Sequence, residues 1–128
     1  MGRLQDKVCI ITGAAGGQGK VAVDLFAREG AKVVAADLQE GGADVIQPLI
    51  EAHPERIAYV HADVTVASDL DRLVDTAVER FGRIDVLFNN HGVMVGSPFL
   101  ETTTEELDTV LNVNVRASFL LSQRVARR

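Results

Sequence analysis

The sequence has 128 residues, of which 47% are apolar and 24% charged, and its formal net charge is -5 at pH 7. This length suits one domain with a hydrophobic core, and the apolar fraction is too high for a disordered chain. The sequence has no Lys/Arg patch of the kind that binds nucleic acid, and no apolar run approaches the ~20 residues of a membrane span. Cys9, the single cysteine, excludes an internal disulfide and a cysteine-rich metal site. Because the first residues lack an apolar signal segment, we expect a cytoplasmic protein.

Short apolar segments alternate along the chain with longer helical patterns, which is typical of parallel βαβ units. The predicted strands are residues 7–12, 32–37, 57–61 and 84–89. The first, second and fourth are nearly continuous apolar runs, as expected for strands that are covered on both faces. We therefore predict an α/β fold with a doubly wound parallel sheet and helices on both of its sides.

Two helices follow clearly from apolar residues spaced three and four apart. One is predicted over residues 18–29, ending at Gly30, and the other over residues 69–81. For the second helix we expect Ser68 to cap the first-turn amides and Gly82 to supply a left-handed stop.

The remaining helical segments are less regular. Thr103 and Glu106 have the spacing of a capping box, so a long helix is predicted from Thr103 through Phe119. Between residues 41 and 53, Pro48 removes a hydrogen bond from any helix that crosses it. We expect a kinked or short helix there.

The segment between the first strand and the first helix is Thr12-Gly13-Ala14-Ala15-Gly16-Gly17-Gln18-Gly19. Its glycines allow a sharp turn and a close approach of the backbone to a phosphate. The first helical amides have no internal partners and carry about half a positive charge, which favours a bound pyrophosphate. Asp37 ends the second strand, where an acidic side chain can accept hydrogen bonds from both hydroxyls of an adenosine ribose. The pattern therefore predicts a dinucleotide site.

Two other nucleotide-binding classes use a similar loop. A P-loop hydrolase would need Gly in place of Ala14 and Ser or Thr in place of Val21, so the Gly19-Lys20 pair does not have that motif's spacing. A methyltransferase that binds S-adenosylmethionine also uses a glycine-rich first turn and an acidic residue after the second strand. The loop alone leaves that alternative open.

The spacing Gly-x-x-x-Gly-x-Gly, formed by Gly13, Gly17 and Gly19, resembles the short-chain dehydrogenase/reductase family. Asp63-Val64, after the third strand, resembles the family's adenine-binding pair. These matches favour the dehydrogenase over the methyltransferase.

Two further segments carry the same resemblance. Asn89-Asn90-His91-Gly92, after the fourth strand, is similar to the family's Asn-Asn-Ala-Gly motif, and Asn114 falls where the family places its active-site Asn. His91 stands where the family usually has Ala. We expect its ring to turn toward solvent and to take no part in catalysis or metal binding.

The resemblance implies a Rossmann-type fold in which residues 1–128 form a dinucleotide-binding domain, incomplete at its C-terminus, with strand order 3-2-1-4. It implies hydride transfer between a nicotinamide cofactor and an alcohol or carbonyl substrate. The cofactor-binding residues that it implies are Thr12, Gly13, Gly17, Gln18, Gly19, Asp37, Leu38, Asp63, Val64, Asn90, His91 and Gly92.

Of the catalytic residues that the resemblance implies, the sequence contains only Asn114. The family's Ser and its Tyr-x-x-x-Lys pattern are absent, because the single tyrosine, Tyr59, is followed by Asp63 rather than Lys. We expect this chain by itself to be inactive. A non-catalytic NAD-binding module remains the main alternative.

The choice of cofactor follows from charge. Asp37 would meet the 2'-phosphate of NADP, and two unit charges ~4 Å apart repel by about 4 kcal/mol at an effective dielectric near 20. Gly16 and Leu38, where relatives that prefer NADP often have Arg or Lys, are neutral. We therefore predict NAD.

We also expect the chain to self-associate. The fourth strand would lie at the edge of the sheet and expose an apolar ladder, which is a template for pairing. In the family the last long helix lines a dimer interface, and its apolar face would be partly uncovered here.

Overall fold

A computed structural model describes residues 2–128. Its parallel sheet has the strand order β3-β2-β1-β4, as predicted. The strands are β1 (Val8–Thr12), β2 (Lys32–Asp37), β3 (Ile57–His61) and β4 (Val86–Phe88). β4 is shorter than expected because the chain leaves the ladder after Phe88, where the amide of Asn90 donates to the Thr12 hydroxyl instead of a backbone carbonyl.

Helices cover both faces of the sheet. They are α1 (Gly17–Arg28), α2 (Gly42–Ala52), α3 (Ala67–Phe81), α4 (Thr104–Leu111) and α5 (Ala117–Ala126), with a short 3-10 helix at Phe99–Glu101. Successive residues of β1 point to opposite faces: Cys9 and Ile11 pack with α1 and α2, whereas Ile10 packs with α3 and α5. This two-sided burial accounts for the continuous apolar strands in the sequence. The chain therefore has the predicted Rossmann-like α/β fold.

The start of α3 differs from the prediction. The helix begins at Ala67 rather than Asp69, and no side chain caps it, so the expected cap by Ser68 is wrong. The Val66 carbonyl accepts from the amide of Asp69 at 3.0 Å, and the Asp69 carboxylate accepts from the amide of Asp63 at 2.8 Å. These bonds tie the helix start to the loop after β3. Gly82 ends α3 in the left-handed region at φ 84°, as predicted.

α2 runs for 11 residues with Pro48 inside it, so the proline does not end the helix. Pro48 removes only one backbone hydrogen bond from the helix. The helix is stabilised by tertiary packing instead, since Ile46 is fully buried against the sheet.

The long C-terminal helix is divided into α4 and α5 by a π-helical turn, Asn112–Arg116. The capping box is confirmed: the Thr103 hydroxyl accepts from the amide of Glu106 at 3.1 Å. A π turn inserts an extra residue into the helix, and such turns are frequent at functional sites. It holds Asn114, the position that resembles the family's active-site Asn.

α5 is anchored to α3. Leu121 is fully buried, the Nε of Arg124 donates to the Asp71 carboxylate at 2.6 Å, and Arg128 pairs with Asp75. The outer side of this segment is apolar and uncovered, with Val115 60% and Phe119 64% exposed. The predicted exposure of an apolar helix face is therefore present.

Candidate functional site: a cleft at the carboxyl ends of the strands

A cleft of about 460 Å³ opens at the carboxyl ends of the strands. In doubly wound sheets this is the edge where ligands bind. The cleft is lined by Gly13, Gly16, Gly17, Gln18, Gly19, Ala36, Asp37, Leu38, Gln39, Ala62, Asp63, Val64, Asn90, His91, Gly92, Val93 and Val113. Every residue predicted to bind the cofactor lines this cleft except Thr12, which is buried beneath the lining.

The glycine loop after β1 is shaped by close backbone contacts. Gly13 has φ +60°, and a Cβ there would lie 2.7 Å from the Asn90 carbonyl oxygen. A Cβ on Gly19 would lie 2.0 Å from the Gly13 carbonyl oxygen. Both distances are too short for a side chain, so these positions require glycine.

The first turn of α1 faces the open cleft. Its N-cap residue is Gly16, which has no side chain to satisfy the free amides, and the turn contains no acidic residue. Beyond its own helix and chain neighbours, a Cβ on Gly17 would meet no atom within 4 Å, so the cleft is open beside this residue. Free amides at the positive end of a helix dipole form an anion site, and the clear space admits a phosphate group.

The Asp37 carboxylate lies at the edge of the same space. Its Oδ2 accepts from the amide of Ala15 at 2.8 Å and its Oδ1 from the amide of Gln39 at 2.7 Å. Because a carboxylate has about four acceptor sites, each oxygen can accept one more hydrogen bond. The loop therefore holds Asp37 in an orientation that leaves it able to bind a diol.

The wall beyond Asp37 combines apolar and polar groups. Leu38 and Val64 contribute apolar surface. Oδ1 of Asp63 accepts from both the amide and the hydroxyl of Thr65, at 2.9 and 2.6 Å. These contacts fix Asp63 beside a surface on which a flat base could lie.

Thr12 supports the opposite wall from below. It is fully buried, and its hydroxyl oxygen accepts from the amides of Asn90 at 3.0 Å and His91 at 3.3 Å. The Nδ2 group of Asn90 donates in turn to the Gly13 carbonyl at 3.3 Å. These bonds join the turn after β4 to the glycine loop.

The expectation that the His91 ring turns toward solvent is wrong. Its Nδ1 lies 2.7 Å from the Thr12 hydroxyl oxygen and its Nε2 lies 3.0 Å from the Ser118 hydroxyl oxygen. Because Thr12 and Ser118 offer it partners on both sides, the half-buried ring turns inward. Burial lowers the pKa of His91 below its usual value, against a smaller opposing effect of a backbone hydrogen bond with Val113.

Asn114 holds the backbone of Val93 in the cleft wall. Its Oδ1 accepts from the amide of Val93 and its Nδ2 donates to the Val93 carbonyl, both at 2.8 Å. Asn114 itself does not line the cleft, but Val93 does. The side chain thus fixes the backbone that follows Gly92.

Other groups with chemical potential lie outside the cleft. Burial, and secondarily the charge of Asp85, raises the pKa of the Cys9 thiol to about 11. The Tyr59 hydroxyl donates to the Asp37 carbonyl at 3.3 Å, and burial raises the pKa of this phenol. Across residues 2–128 there is no group of three or more His, Cys, Asp or Glu arranged to hold a metal, and no helix is long and apolar enough to cross a membrane.

Five lining residues were missed by sequence reasoning: Ala36, Gln39, Ala62, Val93 and Val113. Each is a chain neighbour of a predicted residue and gave no separate signal. The contact between His91 and Ser118 was also missed, because it joins positions that are 27 residues apart.

Comparison with known proteins agrees with this geometry. Residues 7–128 match the family described as short chain dehydrogenase. The chain is 40% identical to tropinone reductase-like 1 of Erythroxylum coca, over 98% of this chain and 46% of that protein. It therefore spans about half the length of the curated relatives that it matches.

Two solved structures are similar in fold. A 3-ketoacyl-(acyl-carrier-protein) reductase from Brucella melitensis, complexed with NADH, gives a TM-score of 0.85 at 34% identity, with 94% of this chain and 49% of that chain covered. A blue fluorescent protein from a metagenomic library, in complex with NADPH, gives a TM-score of 0.89 at 28% identity, with 97% and 51% covered.

Proposed function

Because this chain belongs to the short chain dehydrogenase family, we propose that it is the dinucleotide-binding half of an NAD-dependent oxidoreductase. The observation that carries the proposal is the cleft in which the free amides of α1 and the Asp37 carboxylate face the same space. NAD combines the two groups that these features recognise, a pyrophosphate and a ribose diol. When bound, its nicotinamide would accept or give a hydride in the conversion of an alcohol to a carbonyl compound.

Each part of the wall has a distinct role in this proposal. The amides of Gly17, Gln18 and Gly19 bind the pyrophosphate, and Asp37 accepts from the adenosine ribose. Leu38, Asp63 and Val64 surround the adenine. Residues 90–92 form the wall on the nicotinamide side.

The preference for NAD over NADP depends on the charge of Asp37. Its two backbone hydrogen bonds hold the carboxylate in place, so it cannot turn away from a 2'-phosphate without losing them. Repulsion between the two charges ranges from about 1 kcal/mol in a water-like environment to about 4 kcal/mol at an effective dielectric near 20. Since the cleft is open to solvent, we expect a discrimination between these limits.

Calorimetric titration of this chain with NAD and NADP tests the preference. The wild type should bind NAD at least about fivefold more tightly, and Asp37→Asn should reduce that ratio to near one by removing the charge. Asp44→Asn on α2, away from the cleft, is the matched control, and S-adenosylmethionine should give no binding heat. Equal or tighter binding of NADP by the wild type would refute the preference.

We expect binding without turnover from these 128 residues. Tyr59 is the only tyrosine, and its hydroxyl is directed at the Asp37 carbonyl rather than into the cleft. A well-placed acid/base contributes roughly 10²–10⁴ to the rate, and none of the family's Tyr-x-x-x-Lys type is present. An assay of NADH formation with a panel of secondary alcohols should give no signal under conditions where calorimetry shows saturable NAD binding. This outcome equally supports a non-catalytic NAD-binding module.

We further propose that the chain self-associates through the apolar face of α4, the π turn and α5. Leu111, Val115 and Phe119 are 47%, 60% and 64% exposed on it, and a contiguous apolar surface of this kind marks an interface. Light scattering should report a mass above that of the monomer, and Phe119→Asp should lower it. A monodisperse wild-type monomer with a cooperative melt would contradict the proposal.

A further inference from the structure

His91 lies at the junction between the glycine loop and the π turn. Its Nδ1 is 2.7 Å from the hydroxyl oxygen of Thr12 at the end of β1, and its Nε2 is 3.0 Å from the hydroxyl oxygen of Ser118 on α5. The ring therefore bridges the end of β1 and α5.

The hydrogen-bond inventory of Thr12 decides which nitrogen of His91 carries the proton. The Thr12 oxygen has two lone pairs, and the amides of Asn90 and His91 donate to both of them. Thr12 can therefore only donate to the ring. Its hydroxyl hydrogen goes to Nδ1 at 2.7 Å rather than to the Phe88 carbonyl at 3.4 Å.

The directions of the remaining hydrogen bonds follow from this assignment. With Nδ1 acting as acceptor, the neutral ring must carry its hydrogen on Nε2 and donate it to the Ser118 oxygen. Ser118 is then left to donate its own hydrogen to the Asn114 carbonyl, 3.4 Å away in the π turn. The hydrogen bonds thus run in one direction, from Thr12 through His91 and Ser118 to Asn114.

The segments joined by this series of hydrogen bonds shape one wall of the cleft. On one side a Cβ at Gly13 would lie 2.7 Å from the Asn90 carbonyl, so the glycine loop and the turn after β4 are in close contact. On the other side Asn114 holds the backbone of Val93. The ring of His91 lies between these two attachments.

We propose that His91, as the neutral Nε2–H tautomer, is a positioning residue that fixes the spacing between the glycine loop and the π turn. Dinucleotide binding weakens when the ring is protonated. The inference rests on the proposed function, because it assigns a role within the same cleft. His91 itself takes no part in proton or hydride transfer.

Protonation breaks the arrangement at a defined atom. A second ring hydrogen would place Nδ1–H against the Thr12 oxygen, whose lone pairs are both occupied, and two donors would then face each other. The charged residues of the cleft lining and the π turn are Asp37, Asp63 and Arg116. Within residues 2–128, none of these three forms a hydrogen bond or ion pair with the ring, and the backbone of Val113 favours the charged ring by less than burial disfavours it.

The sign of the pH effect follows from burial. Since burial lowers the pKa of His91, the neutral ring and its contacts are present at neutral pH. They are lost as the pH falls through that pKa.

Nitrogen NMR of the 15N-labelled chain tests the tautomer without any cofactor. At about pH 7.5, Nε2 of His91 should give the shift of a protonated ring nitrogen and Nδ1 that of an unprotonated one. Ser118→Ala should disturb the Nε2 resonance while Nδ1 remains an acceptor. A His91 ring in the Nδ1–H form, or charged at this pH, would overturn the inference whether or not NAD binds.

The binding experiment compares NADH affinity at about pH 7.5 with that at a pH about one unit below the His91 titration midpoint, which an NMR titration locates. The wild type should lose about threefold or more in affinity at the lower pH, because most of the ring is then protonated. His91→Asn keeps an acceptor for Thr12 but does not titrate, so its affinity should stay constant. His53→Asn, which removes a histidine paired with Asp24 outside the cleft, should keep the wild-type pH profile.

The two levels of the proposal fail differently. If the wild type does not bind NADH at either pH, the proposed function is wrong. If it binds, but His91→Asn shows the same loss at low pH as the wild type, the role of His91 is wrong while the proposed function stands.

Discussion

The glycine loop after β1 and the turn after β4 face each other in one cleft, but different interactions hold them. The loop depends on missing side chains: a Cβ at Gly19 would lie 2.0 Å from the Gly13 carbonyl. The turn depends on side chains that come from far along the chain, including Thr12, Asn114 and Ser118. The first kind of constraint is local and is written in consecutive residues, whereas the second exists only after the chain has folded.

The largest effect on stability is expected from a substitution that disrupts the glycine loop. Gly19→Ala places a methyl group against backbone that cannot move aside, so we expect a loss of about 3 kcal/mol or more in the free energy of unfolding. Urea unfolding measures it. Gly96→Ala is the control, because a Cβ there meets no atom within 4 Å. If the Gly19 variant were as stable as the Gly96 variant, the close packing described here would be wrong.

A smaller effect should come from breaking the turn. Thr12→Val keeps the buried shape but leaves the amides of Asn90 and His91 without an acceptor, which should cost about 2 kcal/mol. Thr12→Ser keeps the hydroxyl and should restore most of the lost stability. A destabilised Thr12→Ser variant beside a Thr12→Val variant of wild-type stability would show that the threonine methyl group, and not its oxygen, matters at this site.

The smallest effect is expected at Asp85, directly before β4, and it depends on pH. Asp85 accepts from the amide of Val8 at 2.9 Å and from Nε of Arg83 at 3.0 Å, which lowers the pKa of its carboxyl below the usual value. A lowered folded-state pKa stabilises the protein above the unfolded-state value, and this gain disappears as the pH falls through the folded-state pKa.

Asp85→Asn should therefore cost about 1 kcal/mol at neutral pH and progressively less in acid, where the wild-type carboxyl is also uncharged. Unfolding curves at several pH values compare the two proteins. A difference that grows toward acid pH would contradict the assigned role of Asp85.

Much of the fold could be predicted because its determinants are periodic and local. The apolar runs predicted the sheet, and Gly82 and Thr103 marked helix boundaries correctly. Ser68 failed as a cap because α3 begins at Ala67, which places Ser68 inside the first turn rather than at the N-cap. Pro48 does not end α2, which the burial of Ile46 stabilises.

The candidate site divides in the same way. Gly13, Gly19 and Asp37 were predictable because spacing along the sequence reflects their placement at strand ends. The inward turn of His91 was not, since its partners Thr12 and Ser118 come from distant parts of the chain. The π turn that carries Asn114 likewise has no signature in the helical periodicity of residues 103–119.

The most direct test of the dinucleotide cleft is an amide NMR titration of the 15N-labelled chain with NAD. Saturable shifts should centre on the amides of Gly17, Gln18 and Gly19. Gly17→Ala should fold normally, because its Cβ meets no protein atom within 4 Å, yet bind NAD at least about tenfold more weakly, since the methyl group fills the phosphate space. Shifts that leave the first turn of α1 unchanged, or undiminished NAD affinity in Gly17→Ala, would contradict the account.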